Sequence, residues 1–383
     1  MKVMKSLKYI GFFDIQNSSV QRNYVTSAAN KMEYIVRAIA ASGQPVEIRS
    51  ASSVIENKFK FYKAETKKVS ENITLRLPSS WGGNNKVIKK FRTLWNITSL
   101  FLYLLQNTKK GESVVVYHSL GYLYAILWAR KIRRFKLILE TEEIYTDVSE
   151  KGDRMKKLEY GIISVADAYL FSTELLNEKV NIHNRPYCVN YGTYQVEKQV
   201  VDKFDDGKIH VVYAGTFDPR KGGAAAAAAA AEFLPENYHI HICGFGSQKD
   251  IEYIKNIIKE TVAKSKATIS YEGLLKGRGF IEFMQKCHIG LSTQNPDAAF
   301  NATSFPSKIL SYMANGLSVV SINIKAIKDS AVGPYIHFYE KQAPEEIAAT
   351  ILDCKVNNEN RKVIAELNAH FTTDVKLLLN SIQ

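Results

Sequence analysis

The sequence predicts an α/β protein built from two doubly wound, mainly parallel sheets. Three observations carry this. Short apolar runs alternate with longer stretches of helical spacing along most of the chain. The alternation lapses once, over Tyr194–Gly207 (YQVEKQVVDKFDDG), which is polar and charged. It then restarts in the same form. At ~150 residues per domain, a chain of 383 residues has room for two or three.

The elements follow in order. Tyr9–Asp14 reads as a first buried strand. Tyr24–Ser42 carries Met32, Ile35, Val36 and Ile39 at helical spacing, and Gly43 marks its stop. Val46–Arg49 is strand-like and Lys86–Gln106 reads as a long helix. Ser113–Tyr117 (SVVVY) is a β-branched strand. Helix Gly121–Ile132, strand Lys136–Leu139, helix Met155–Val165 and strand Ala168–Phe171 complete the first half. The second half runs strand Ile209–Ala214, helix Gly223–Phe233, strand His239–Cys243 and helix Lys249–Lys264. Strand Thr268–Tyr271, helix Phe280–Lys286, strand Ile289–Thr293, helix Ser307–Asn315 and strand Ser318–Ile322 follow. Pro344–Gln383 reads as two helices. Ala224–Ala231 is eight consecutive alanines: a good helix former without a large side chain to pack. The domains are expected at 1–195 and 208–360. A linker is expected at 196–207, and a helix at 361–383 packing back towards the first domain.

Composition narrows the function. Hydrophobic residues at 46% and charged residues at 23% are ordinary for a globular chain. Lys plus Arg exceed Asp plus Glu by 51 − 38 = 13, so a negatively charged partner is expected. Cys188, Cys243, Cys287 and Cys354 form no CxxC pair, which argues against a zinc ribbon and a disulfide scaffold and favours a reducing, cytoplasmic compartment. The apolar runs Leu94–Leu105 and Leu120–Ala129 are too short to span a bilayer. Lys5, Lys8 and Asp14 interrupt a signal-peptide pattern at the N-terminus.

In open α/β sheets ligands sit beyond the carboxyl ends of strands. After Ile209–Ala214 comes Gly215-Thr216-Phe217-Asp218-Pro219-Arg220-Lys221-Gly222-Gly223, a glycine-bounded loop with two cations that enters a helix. Helix N–H groups and the dipole favour an anion there, although a plain βα turn with solvated basic residues also fits. It is not a Walker A loop. After His239–Cys243 comes Gly244-Phe245-Gly246-Ser247, which lacks the third glycine of a dinucleotide fingerprint. After Ile289–Thr293 comes a polar loop and then Ser304-Phe305-Pro306-Ser307-Lys308, a second helix start with a cation; an ordinary capped helix is the plainer reading. Two anion cradles in one domain point to a ligand with a diphosphate.

The runs YAGTFDPRKGG, HIHICGFGS, ISYEGLL and SFPSKILSYMANGLSVVS resemble, in this order, the donor half of GT-B glycosyltransferases, especially those of family 4. KLEYGIISVADAYLFST and VNYGTY resemble segments of the first half. AANKMEYIVRAIAASGQPVEIRSAS is similar to bacterial polysaccharide transferases, including galactofuranosyltransferase-like ones. The resemblance implies GT-B architecture, two Rossmann-like domains facing a central cleft. It also implies transfer of a hexosyl group from a nucleotide sugar, with UDP the default base, to a saccharide or lipid-linked saccharide, with retention at the donor carbon. The donor is a substrate, no cofactor is implied, and no metal is expected.

Carried over residue by residue, the resemblance assigns the donor to Gly215, Thr216, Arg220, Lys221, Gly244, Gly246, Ser304, Phe305, Pro306, Ser307, Lys308 and Ser311. Thr216 stands where the family has Arg, with Arg220 as a substitute cation. The family's E-x7-E pair falls on Thr303 and Ser311, so both glutamates are absent. His118, after strand Ser113–Tyr117, matches a His near the donor sugar, although a lone His is often structural. Glu143, or Glu142, is placed to orient the acceptor hydroxyl or act as base, against a solvated acidic rim formed with Glu140. Asp14, Asn17 and Arg22 are acceptor-side candidates together with Glu142.

Lys86, Lys89, Lys90 and Arg92 open an aromatic, apolar helix, and Arg130, Lys131, Arg133, Arg134 and Lys136 form a second basic cluster. Peripheral contact with anionic lipid at the inner face of the plasma membrane fits both, as does a helix packed on the sheet with solvated lysines. The rival classes are a non-catalytic assembly protein with a degenerate fold, a sugar-phosphate epimerase or a phosphorylase. A nucleic-acid binder is disfavoured because no recognition motif is present.

Overall fold

A computed structural model of the chain describes residues 6–15, 18–149, 152–220, 222–356 and 359–382. The chain forms two compact units: Met1–Tyr191 with His370–Gln383, and Gly192–Ala369.

The first unit holds β1 (Leu7–Gly11), β2 (Val46–Ser50), β3 (Phe61–Tyr62), β4 (Glu65–Ser70), β5 (Ile73–Leu77) and β6 (Ser80–Trp81). β7 (Ser113–Tyr117), β8 (Lys136–Thr141), β9 (Ala168–Phe171) and β10 (Tyr187–Val189) follow. The main sheet runs β10-β9-β8-β7-β1-β2-β5-β4, while β3 and β6 pair separately. Its ladders are parallel except β4–β5 at one edge. Strand periodicity places the core. Ile10, Val114, Val116, Leu137 and Leu139 pack with Leu100, Leu104, Ile126 and Ile162 from three helices. Each such buried side chain contributes roughly 1.5–3 kcal/mol. The topological switch lies between β1 and β7, so loops after these strands are where a ligand is expected.

The second unit holds β11 (Ile209–Thr216), β12 (Tyr238–Phe245), β13 (Thr268–Gly273), β14 (Ile289–Ser292), β15 (Ser318–Ile322) and β16 (Ile336–Tyr339). They form one parallel sheet in the order β13-β12-β11-β14-β15-β16, with the switch between β11 and β14. The alanine run forms the helix Ala224–Ala229 and continues as a 3-10 turn, Ala230–Phe233. Ala227, Ala228, Ala230 and Ala231 are fully buried. Close packing takes the place of large side chains here: a Cβ on Gly223, the residue before the helix, would lie 1.4 Å from the Thr293 carbonyl oxygen.

Several expectations are revised. The first strand ends at Gly11, and Phe12–Asp14 leave the sheet. The helix at Gly121 starts at Leu123. The stretch 196–207 lies along the second unit: Val201 N–H donates to Gln285 Oε1 at 3.0 Å and Phe204 N–H to the Lys286 carbonyl at 3.0 Å. The unit divisions fall at Tyr191/Gly192 and Ala369/His370, not at 195 and 360. Phe371, on the last helix, stacks on Tyr34 of the first unit at 5.4 Å.

Candidate functional site

In the second unit the loops after β11, β12 and β14 are built on close backbone contacts. Gly244 has φ +154°, and a Cβ there would meet the Gly215 carbonyl oxygen at 1.9 Å. A Cβ on Gly222 would lie 2.3 Å from the Thr216 oxygen. The Tyr213 hydroxyl donates to that same oxygen at 2.8 Å, so the loop folds around it. Gly246 packs against Asp250 and Phe217. Ser247 forms a capping box with Asp250 at the start of helix Gln248–Val262. The glycines therefore have packing reasons of their own: Gly222, Gly223 and Gly244 are buried, and Gly215 and Gly246, both half-buried, are where backbone near the strand ends can meet a ligand.

Lys308 begins the helix Lys308–Ala314. Its Nζ lies 4.4 Å from the Tyr213 ring centroid, and a Cβ on Gly215 would lie 3.0 Å from it. Burial pushes the ammonium down to about 8. Among the described residues no carboxylate pairs with it. A desolvated cation without a counter-charge is unfavourable, and an anion beside Gly215 relieves it. Ser304 and Pro306 are half-buried, Phe305 is buried, Ser307 is exposed and Ser311 is half-buried on the same helix. Thr216 accepts the Asp218 N–H on its hydroxyl at 3.2 Å. Arg220 is held by Asp218 through Nε at 3.0 Å and Nη2 at 2.8 Å, with its side chain 85% exposed. That neutralises the expected substitute cation locally. Lys221 lies outside the described residues.

In the first unit the polar groups gather after β7 and β8. His118 follows β7, and its backbone N–H donates to the Glu140 carbonyl at 2.7 Å. Its ring is 1% exposed, stacks on Tyr145 at 5.2 Å, and places Nε2 3.2 Å from Glu159 Oε1. Glu159 is itself buried and accepts the backbone N–H groups of Tyr145 and Thr146 at 2.8 and 2.9 Å. Burial lowers the His118 pKa against the pull of Glu159. An imidazole so enclosed fits a structural tie between β7 and the helix Asp153–Ser164, in place of the expected contact with a sugar.

Glu140 is also enclosed. The Tyr9 hydroxyl donates to Oε2, and burial, reinforced by Glu142, raises the carboxyl to about 8. It is a neutral acid at neutral pH, not part of a solvated rim. Glu142 pairs with Lys31 at 2.8 Å and keeps 27% of its side chain exposed. Glu143 is half-buried, and its charge acts on Tyr145. The Tyr117 and Tyr145 hydroxyls lie 3.3 Å apart beside them. Glu142, Glu143 and the two tyrosines are thus the accessible polar groups at this edge.

Asp14 is buried, with Oδ2 3.9 Å from Arg22 Nε. Arg22 donates to the Ser52 and Pro78 carbonyls at 2.9 and 3.1 Å, which makes it a strut between loops where an acceptor contact was expected. Asn17 lies outside the described residues. Sequence reasoning missed Glu159 as the partner of His118. The signal was present: Glu159 sits one helical turn before Ile162 and Ile163, inside the apolar stripe. Among the described residues, the one group of metal-ligating side chains is His239, His241 and Glu272, which lie on β12 and β13.

No protein-family model matches the sequence, and no curated protein matches it. Solved structures do. The E. coli trehalose-6-phosphate structure bound with UDP-2-fluoro glucose aligns with a TM-score of 0.63 at 12% identity, covering 98% of each chain. A UDP-forming α,α-trehalose-phosphate synthase from Burkholderia xenovorans gives 0.62 at 11% identity over 99% of each. Anabaena HepE in complex with UDP gives 0.63 at 10% identity, over 98% of this chain and 100% of that one. At such identities the likeness shows the fold: α/β, with two Rossmann-like units of the GT-B class.

Proposed function

We propose that the chain is a glycosyltransferase of bacterial surface polysaccharide synthesis. It moves a hexosyl group from a nucleoside diphosphate sugar, with UDP the first choice, to a hydroxyl of a saccharide or lipid-linked saccharide. The observation that carries this is Lys308: a half-buried ammonium with no carboxylate partner among the described residues, beside glycine backbone at the switch point of a parallel sheet. Two structures similar to this chain hold UDP or a UDP-sugar analogue, which supports uridine.

In the reaction the bond from the sugar's anomeric carbon to the β-phosphate oxygen breaks, and a bond to the acceptor oxygen forms. Negative charge grows on the departing diphosphate. Lys308 stabilises it, with Lys221 as the second cation named by the sequence. The acceptor's proton passes to Glu143 or Glu142. Neither residue is buried, so each can meet an acceptor. Transfer proceeds without a cofactor, and the catalytic edge needs no divalent ion.

The acceptor's lipid is proposed from two helices. Val87, Phe91 and Leu94 are 76%, 53% and 63% exposed on Lys86–Asn107, among Lys86, Lys89 and Lys90. Tyr124, Trp128 and Ile132 form an exposed stripe on Leu123–Arg133. No described helix is long and apolar enough to cross a membrane. Exposed apolar and basic side chains fit peripheral contact with anionic lipid.

A second reading is kept because Thr303 and Ser311 stand where the resembled family has its glutamate pair: a non-catalytic, partner-dependent assembly protein. The test is release of nucleoside diphosphate from UDP-, GDP-, ADP- and dTDP-sugars by the full chain, with and without saccharide acceptors. Release from one donor that disappears in Lys308→Met supports the transferase. Nucleotide binding without release from any donor supports the assembly protein.

A further inference from the structure

The second unit carries a cluster that glycosyl transfer does not use. His239 and His241 are two residues apart on β12 and so face the same side of the sheet. β13 runs beside them at the sheet edge, with His239 opposite Thr268 and His241 opposite Ser270. Glu272 lies two residues further along the same face. His241 Nδ1 is 2.8 Å from Glu272 Oε1 and 3.0 Å from Ser270 Oγ. His239 Nε2 is 2.7 Å from the same Ser270 Oγ. One ligand atom from each of His239, His241 and Glu272 lies within 4.8 Å of the other two.

The opposite sides of both rings are already held. His239 Nδ1 lies 2.6 Å from the Thr268 hydroxyl. His241 Nε2 lies 2.8 Å from His210 Nδ1, and His210 Nε2 lies 2.9 Å from Asp206 Oδ1. Asp206, His210, His241 and Glu272 therefore form a chain with three contacts. Each contact needs a hydrogen between its two atoms. If His210 donates to Asp206 and His241 donates to His210, the lone pair of His241 Nδ1 faces the Glu272 carboxylate. A cation at that point resolves the clash. This arrangement also gives metal-bound histidines the outer hydrogen bonds that fix their tautomer and orientation. Phe204 stacks on His210 at 4.3 Å and Phe283 meets His241 edge-on at 5.0 Å, walling the inner side. Glu272, with 25% of its side chain exposed, leaves a way in.

We propose that His239 Nε2, His241 Nδ1 and Glu272 Oε1 bind a divalent transition-metal ion of the zinc type, with the Ser270 hydroxyl or water as a fourth ligand. Two imidazoles and a carboxylate suit Zn²⁺ over Ca²⁺ or Mg²⁺. Bonds of about 2.0–2.1 Å place tetrahedral donors roughly 3.3 Å apart, a small rearrangement from the observed spacing. The ion would clip edge strand β13 to β12. His241 is four residues short of the end of β12, about 13 Å along the strand, and Gly273, which ends β13 next to Glu272, pairs with Cys243 inside β12, so the role is structural and separate from transfer.

The test is calorimetric titration of Zn²⁺ into the full chain after chelator treatment, compared with Glu272→Gln and His239→Gln. The expected result is one saturable site per chain. It weakens at least about tenfold in either variant, does not form with Mg²⁺ or Ca²⁺, and raises the melting temperature of the wild type alone. Should a variant misfold, Co²⁺ added to the wild type gives the intense visible absorption of a tetrahedral site. Absence of saturable Zn²⁺ binding below millimolar concentration overturns the proposal. So does binding unchanged in both folded variants, or a weak octahedral Co²⁺ spectrum.

Discussion

Glu140→Gln is expected to remove a pH-dependent loss of stability from the first unit. Glu140 is 1% exposed, and its carboxyl is raised from 4.5 to about 8, chiefly by burial and then by the charge of Glu142. Between those values the folded carboxyl keeps its proton while the unfolded one releases it. Folding in that window takes up a proton, so stability falls as pH rises and the loss is complete above about 8. The slope is roughly 1.4 kcal/mol per pH unit inside the window, or about 3 kcal/mol between pH 5 and pH 8 once both titration curves are included. Glutamine keeps an acceptor for the Tyr9 hydroxyl and has no proton to lose. The assay is urea unfolding of both proteins followed by tryptophan fluorescence. Trp81, Trp95 and Trp128 all lie in the first unit, so the signal reports that unit. The variant should gain about 3 kcal/mol on the wild type in going from about pH 5 to about pH 8. Parallel stabilities across that range would refute the buried neutral acid.

Other expectations follow from the same contacts. Gly223→Ala drives a Cβ into the Thr293 carbonyl and should lower stability by at least about 3 kcal/mol, read by thermal melting. Gly161→Ala, with nothing within 4 Å and inside the helix Asp153–Ser164, should instead raise stability by roughly 0.5–1 kcal/mol in the same assay. Glu159→Ala strips His118 and two backbone N–H groups of their partner and should cost about 3 kcal/mol in fluorescence-monitored unfolding; a near-neutral result contradicts the tie. The wild type should sediment with anionic but not zwitterionic vesicles, and replacing Phe91, Leu94 and Trp128 together by serine should leave folding intact and abolish that sedimentation; unchanged sedimentation rules this face out.

Much of the fold was legible because its signals are local. Ser113–Tyr117, Ala168–Phe171 and Ser318–Ile322 are β-branched or apolar runs bounded by polar residues, and each forms the expected strand. Other elements were overlooked for different reasons. Ile73–Leu77 reads ITLRL with alternate residues buried, a period-2 signal hidden beside a charged stretch. Tyr187–Val189 and Ile336–Tyr339 are too short to show a period and exist because neighbouring strands pair with them. The site was legible as strand ends, but not in its burial. Nothing local in the sequence tells Glu140 from Glu142; the difference is that one points under Tyr9 and the other towards Lys31. Nor does spacing show that Asp218 holds Arg220 while Lys308 has no carboxylate partner among the described residues.

Lys308 is the group proposed to hold the donor diphosphate. The most direct measurement is calorimetric titration of UDP, GDP, ADP and dTDP into the full chain and into Lys308→Met, without added metal. The account predicts saturable binding of one nucleotide by the wild type, at least about tenfold weaker in the variant. With the ammonium at about 8, wild-type affinity should also fall as pH rises through that value, because only the protonated form attracts the diphosphate. A folded wild type that binds none of the four, or a variant that binds as tightly, would contradict it.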